Sequence, residues 1–184
     1  MALDLGALYL DDMRERFESY RSLAERAFAQ TEPSERFIEL SPGGNSIAHL
    51  MKHIAGNLRS RWTDFLTSDG EKPDRNRDTE FELGDGDDAQ SLERAWNAGW
   101  ELLFAALDSI TPADLERTVL IRHEPHSVIS AMNRALGHYA MHVGQIVLIA
   151  KHLRGERWQT LSIPRGGTEQ FNKAMAKRRS QDPE

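Results

Sequence analysis

The sequence predicts an all-α protein, a four-helix bundle with one long crossover connection and a short C-terminal helix. Four long segments carry apolar residues at spacings of three and four, the period of an amphipathic helix. Few segments alternate as half-buried strands do, and helices that each bury one stripe pack together as a bundle. At 184 residues, the chain suits a single domain over 1–184.

The first two helices are predicted over 3–30 and 46–67. Pro33 follows the first helix, and Asn45 or Ser46 is placed to cap the second. The apolar stripe of the second helix comprises Ile47, Leu50, Met51, Ile54, Leu58, Trp62 and Phe65. The polar stretch 67–87 that follows has turn residues and no clear period. A connection of that length is either functional or mobile, and it permits a crossover in the bundle.

The second half of the chain is predicted to hold helices at 88–110 and 128–154, with a short final helix at 168–179. Ser127 caps the fourth long helix and Gly155 ends it. Between these helices, 118–122 is briefly extended and 123–126 is a loop. The tail 173–184 is expected to be flexible. The turn at 164–167, which contains Arg165, is either an anion-binding turn or an ordinary chain reversal.

Composition excludes several functional classes. The chain has no cysteine, which excludes disulfides, zinc–thiolate sites and cysteine nucleophiles. The net charge of −6 disfavours nucleic acid as a partner, because phosphate binding needs a basic face. No apolar run approaches the ~20 residues of a membrane span, and the first residues do not resemble a secretory signal. We therefore expect a cytoplasmic protein with no membrane partner.

The histidines carry the strongest chemical signal. His138 and His142 lie four residues apart on the fourth helix, so their Cβ atoms are about 6 Å apart on one face. Two such imidazoles can bind one cation, although a hydrogen-bonded pair without metal is the alternative. Tyr139 stands where the zinc-protease helix has its glutamate, which argues against a protease.

The second helix supplies a third candidate ligand. His53 borders the apolar stripe, whereas His49 points further toward solvent. Asn57 and Arg61 continue the row of His53 at four-residue steps and are expected to line a shared cleft. The three remaining histidines are expected at the surface: His123, His126 and His152.

The sequence resembles the DinB-like (YfiT-like) superfamily of metal-binding four-helix proteins, in a branch of unassigned activity. The resemblance extends from the first helix to about Asn172. It rests on KHIAGNLRSRWTDFLTSDGEKP at 52–73, RDTEF at 77–81, HYAMHVGQIVLIAKHL at 138–153 and LSIPRGGTEQFN at 161–172. It implies that His53, His138 and His142 hold one divalent metal ion. Imidazole donors suit several metals, of which zinc or nickel is favoured.

Three neutral ligands would leave the ion an open position, which is typical of catalytic sites. The resemblance implies a metal-dependent S-transferase or isomerase that uses a low-molecular-weight thiol. The alternatives are a metal-dependent hydrolase and a non-catalytic protein that binds metal or a small molecule. Within the cleft, Arg61 is expected to hold a cofactor carboxylate and Gln145 to orient a ligand or water.

A homodimer is also predicted. Three apolar residues lie off the main stripes, namely Phe28, Leu66 and Trp100. An exposed apolar patch is usually an interface, and twofold pairing is the commonest assembly.

Overall fold

The computed structural model describes residues 3–181, and within them four long helices confirm the predicted bundle. These helices are α1 (Leu5–Phe28), α2 (Ile47–Trp62), α3 (Ala89–Ser109) and α4 (Val128–Arg154), and α5 (Thr168–Gln181) follows them. A small hairpin of β1 (Thr118–Ile121) and β2 (Glu124–Ser127) precedes α4. Short 3₁₀ helices occupy Pro33–Phe37, Asp78–Phe81, Pro112–Asp114 and Gly155–Arg157.

The packing order of the helices differs from their order in the chain. α2 packs chiefly against α3, and α1 against α4, while smaller contacts join α2 to α4 and α1 to α3. Going round the bundle, the neighbours are therefore α1, α4, α2 and α3. The longest connection, 63–88, joins neighbouring helices, whereas 29–46 and 110–127 join helices at opposite corners. This arrangement places α2 beside α4, the two helices that carry the predicted metal ligands.

Side-chain caps determine where the helices begin. Ser46 accepts the backbone N–H of His49 at the start of α2, and Ser127 caps α4 in the same way, as predicted. Asp88 accepts the N–H of Ser91 and caps α3. The second helix ends at Trp62, five residues earlier than predicted, because the chain leaves the helical conformation at the next residue.

The core is rich in aromatic side chains that contact one another. Trp96, Trp100 and Tyr139 are completely buried, and Trp100 packs edge-on against both of the others. Phe28 is also buried, and Leu66 is half-buried. The premise of the predicted dimer was therefore wrong, because these residues pack inside the chain and do not form an exposed patch.

The hairpin replaces most of the predicted loop at 123–126. Glu124–Ser127 pairs with Thr118–Ile121, whereas 118–122 was correctly predicted to be extended. Arg122 and His123 form the turn with φ of 54° and 64°, the positive values that a two-residue hairpin turn requires. The Asp69 carboxylate accepts both of their backbone N–H groups, at 2.8 and 2.7 Å. The connection after α2 is thus tied to the hairpin.

The C-terminal part consists of a turn followed by the short helix α5. Gly167 N–H donates to the Pro164 carbonyl at 2.9 Å, so 164–167 is a hydrogen-bonded turn. α5 continues the predicted final helix to Gln181, and 182–184 lie outside the described residues, so the flexibility of the tail stays a prediction. Across 3–181, none of the helices has the length and apolar character needed to cross a membrane.

Candidate metal centre

Three imidazoles from two helices meet at one point. The Nε2 atom of His138 lies 3.1 Å from Nε2 of His53 and 3.1 Å from Nε2 of His142. His53 and His142 are buried and His138 is half-buried. Nitrogens bound to one ion at 2.0–2.1 Å in tetrahedral geometry stand about 3.3 Å apart. Two of the three separations are close to this value, and all three ligand atoms lie within 4.8 Å of one another, so the three side chains named from the sequence could hold a single metal ion.

Proton placement indicates that this cluster suits a cation. Nδ1 of His53 lies 2.8 Å from Oε2 of Glu80, and Nδ1 of His142 lies 2.8 Å from Oε1 of Gln145. Because both partners are oxygen acceptors, each Nδ1 carries the proton in the neutral ring, and each Nε2 presents a lone pair. A single Nε2–H of His138 can satisfy only one of them. A metal ion would satisfy all three nitrogens.

Glu80 orients His53 and is in turn held by an arginine. Arg75 donates to both carboxylate oxygens of Glu80, from Nε at 2.8 Å and from Nη2 at 3.0 Å. The ring of Phe81 packs on His53 with centroids 4.5 Å apart. A carboxylate behind a ligating histidine fixes its tautomer and raises its basicity. The connection 63–88 therefore supplies the groups that hold the imidazole of His53 in place.

The electrostatic environment disfavours protonation of two of the three imidazoles, His138 and His142. Burial, with the nearby His142 and His53, lowers the pKa of His138 to about 3. Burial also lowers the pKa of His142. For Glu80, burial opposes ionisation, but hydrogen bonds from His53 and Arg75 outweigh it and hold its pKa below the ordinary value. Neutral imidazoles beside a charged carboxylate are the protonation states that metal binding requires.

A cavity of about 160 Å³ opens beside the cluster, and His53 and His138 are among its lining residues. Asn57 and Arg61 line it, as the sequence predicted. Asn57 is held in place because its Oδ1 accepts from the hydroxyl of Tyr139 at 3.0 Å. The Arg61 guanidinium already has partners within the protein, because its Nη1 donates to the Gly70 carbonyl and to Glu71. Gln145 contacts His142 through its Oε1, and its role in orienting a ligand or water stays a prediction.

The other histidines stand apart from the cluster. His49 is not simply a surface residue, because its Nδ1 accepts the Ser46 N–H at 3.1 Å as part of the cap of α2. His126 is half-buried, contrary to the surface position expected for it. His123 and His152 are exposed, as predicted.

Sequence reasoning missed Glu80, Arg75 and Phe81 as parts of the site. Two of them lie within RDTEF, a motif that supported the family resemblance, but no spacing rule linked that motif to His53. Two acidic residues between this motif and α3 have other roles. Asp88 caps α3, and Asp87 forms an ion pair with Lys52 at 2.8 Å.

A four-helix bundle with three converging imidazoles defines a class of proteins that can hold a metal ion. Within this class, the chain belongs to the DUF1572 family, described as a protein of unknown function, whose model matches residues 4–167. A search of curated proteins finds no match.

The chain is also similar in structure to YfiT from Bacillus subtilis, described as "a probable metal-dependent hydrolase with an unusual four-helix bundle topology". The two share 17% sequence identity with a TM-score of 0.62, over 78% of this chain and 87% of the other. The similarity confirms the predicted four-helix-bundle fold.

Proposed function

We propose that this protein is a metal-dependent hydrolase whose ion is held by His53, His138 and His142. The observation that carries the proposal is the convergence of three imidazole nitrogens beside an open cavity. A divalent ion held in this way lowers the pKa of a bound water or thiol and polarises a substrate carbonyl. The description of the similar protein YfiT as a probable metal-dependent hydrolase supports hydrolysis as the reaction.

The chain's own residues would hold the metal ligands and one wall of the cavity in place. Glu80 and Gln145 hold two imidazoles through their Nδ1 atoms, so both present the same edge to the ion. Asn57 keeps its amide at the cavity wall because Tyr139 holds its oxygen. Both residues are buried, which limits their movement during a reaction. Zinc or nickel is proposed as the ion, because both bind imidazole well.

A thiol-dependent S-transferase or isomerase is the second candidate. The arginine side chains around the cavity favour it, because guanidinium groups match the carboxylates of a peptide-like thiol. A thiol would supply the nucleophile that the cysteine-free chain does not contain. If neither reaction is observed, the protein is a non-catalytic binding protein.

The cytoplasmic location is likewise a proposal.

The first experiment measures metal bound per chain in purified wild type and in His53→Ala, His138→Ala and His142→Ala. We expect about one ion per chain in the wild type and a large loss in each variant. His152→Ala, which changes an exposed histidine on α4, is the control and should retain the ion. Full occupancy in any of the three variants would remove that residue from the site.

The second experiment separates the two reactions. Hydrolysis of p-nitrophenyl esters should require metal and disappear in His138→Ala. A cobalt-substituted sample is then titrated with bacillithiol, mycothiol, glutathione and coenzyme A, and a thiolate-to-metal absorption band is followed. A band without ester hydrolysis would favour the transferase. The absence of both would favour a binding protein.

A further inference from the structure

The cavity beside His53 and His138 is lined by five arginines and, among residues 3–181, by no acidic side chain. They come from four separate parts of the chain. Arg61 lies on α2, Arg75 and Arg77 on the 63–88 connection, Arg122 in the hairpin turn and Arg134 on α4, one turn before His138. Positive charge is thus assembled at one place by the tertiary fold.

The carboxylates near these arginines do not balance their charge. Glu80 pairs with Arg75 at 2.8 Å, and Glu71 is shared among Arg75, Arg61 and Arg122 at 3.0, 3.1 and 3.3 Å. Five guanidinium groups and two carboxylates leave an excess of three positive charges (5 − 2 = 3). The chain as a whole carries −6, so the cavity is opposite in sign to the whole protein.

Two of the arginines lack an acidic partner in the part of the chain that the structure describes. Within residues 3–181, neither Arg77 nor Arg134 forms an ion pair, and both are exposed at the cavity. Arg77 lies over the ring of Phe81, 5.1 Å from its centroid, and Phe81 packs on His53. These two guanidinium groups are free to contact a ligand next to the metal centre.

Like charges gathered in a concave site repel one another and raise the local concentration of anions. Guanidinium groups bind carboxylate and phosphate through paired hydrogen bonds. The cavity, at about 160 Å³, is smaller than the roughly 300–1,000 Å³ of drug-sized ligand sites. It therefore suits a compact charged group better than a whole peptide-like molecule.

We propose that the cavity binds a carboxylate or phosphate group of the substrate, with Arg77 and Arg134 as its direct contacts. The assignment to a substrate rests on the proposed function, whereas the binding of an oxyanion does not. The bound group would lie beside the three imidazoles and bring an adjoining bond of the same molecule to the metal centre. Arg61, Arg75 and Arg122 would add attraction while Glu71 and Glu80 hold them in place.

Calorimetric titration of the zinc-loaded protein with inorganic phosphate and with succinate tests the site. We expect at least one of them to bind, and the preferred anion identifies the oxyanion. Arg77→Gln and Arg134→Gln should each weaken binding about tenfold, the change expected from losing one charge-assisted hydrogen bond. Arg94→Gln on α3, outside the cavity lining, is the matched control and should bind like the wild type. Metal content is measured for every variant.

Absence of binding by both anions, or equal affinity in all variants at full metal content, would overturn the proposal. Ester hydrolysis distinguishes a failure of the oxyanion site from a failure of the proposed hydrolase function. If zinc-loaded protein cleaves p-nitrophenyl acetate and p-nitrophenyl hemisuccinate with the same kcat/KM, the substrate class is wrong although the hydrolase stands. If phosphate binds through Arg77 and Arg134 but neither ester is cleaved, the oxyanion site stands and the hydrolase is wrong.

Discussion

Oε2 of Glu80 lies 2.8 Å from Nδ1 of His53, and the two side chains are only 8% and 3% exposed. The pair joins residues 27 positions apart and ties the connection after α2 to the predicted metal centre. Because the carboxylate also accepts from the almost fully buried Arg75, it is held from two sides. The connection is therefore a structural part of the site.

Replacing Glu80 by glutamine is expected to weaken metal binding by about 10- to 100-fold, the usual effect of removing a carboxylate behind a ligating histidine. The amide oxygen can still accept from Nδ1, but it is less basic than a carboxylate. Competition with a fluorescent zinc chelator measures the affinity. Glu82→Gln, at an exposed position two residues away, is the control. An unchanged zinc affinity in Glu80→Gln would show that this carboxylate does not support the ligand.

Gly56→Ala should disturb the Glu80–His53 pair by displacing the Glu80 carboxylate. A Cβ at position 56 would collide with Oε1 of Glu80 and lie 2.8 Å from its Cδ, so the carboxylate would have to move. We expect a weaker zinc affinity and a lower free energy of unfolding, despite the better helix propensity of alanine. Gly137→Ala is the matched control, because a Cβ there meets nothing within 4 Å. It should raise stability by about 0.5–1 kcal/mol. A stabilising Gly56→Ala with normal zinc affinity would contradict the close packing.

Acid should destabilise the metal-free protein through His138. Its pKa in the folded state is lowered to about 3 by burial, against an ordinary value of 6.5. Between these values the unfolded chain binds a proton that the folded chain does not. The free energy of unfolding therefore falls as pH decreases from 6.5 toward 3. Urea unfolding across this range measures the slope. His138→Gln, which cannot titrate, should show a shallower slope, and an equal slope would refute the assignment.

The homodimer remains a prediction, on a different surface from the one first considered. Met141 and Leu148 lie seven residues apart on one face of α4 and are 55% and 64% exposed. An apolar stripe of this kind is a candidate for twofold pairing. Light scattering should give twice the chain mass of 20.9 kDa, and Leu148→Glu should give the monomer. Leu8→Glu on α1 is the control. A monomeric wild type at micromolar concentration would end this prediction.

Much of the architecture could be predicted from the sequence because it depends on local spacing. The spacing of apolar residues and the capping residues predicted the four long helices. The observed bounds of Val128–Arg154 match the predicted range 128–154. His138 and His142 share a helix face through a four-residue step, so their proximity needs no tertiary information. The helical position of His53 beside the apolar stripe of α2 made it the third candidate, and the family resemblance supported that choice.

The tertiary structure decided the contacts between residues distant in the chain. Whether His53 meets His138, 85 positions away, depends on α2 and α4 being neighbours, which no local pattern specifies. Glu80 lies in a stretch without periodicity, so nothing marked it as buried. The hairpin turn uses Arg122 and His123 at positive φ, where glycine or asparagine is the usual signal. Trp100 lay off one predicted stripe but is buried, because a bundle helix packs against two neighbours at once. The sequence determined the helices and one pair of ligands through local spacing. The rest of the site depends on long-range packing, which only the fold specifies.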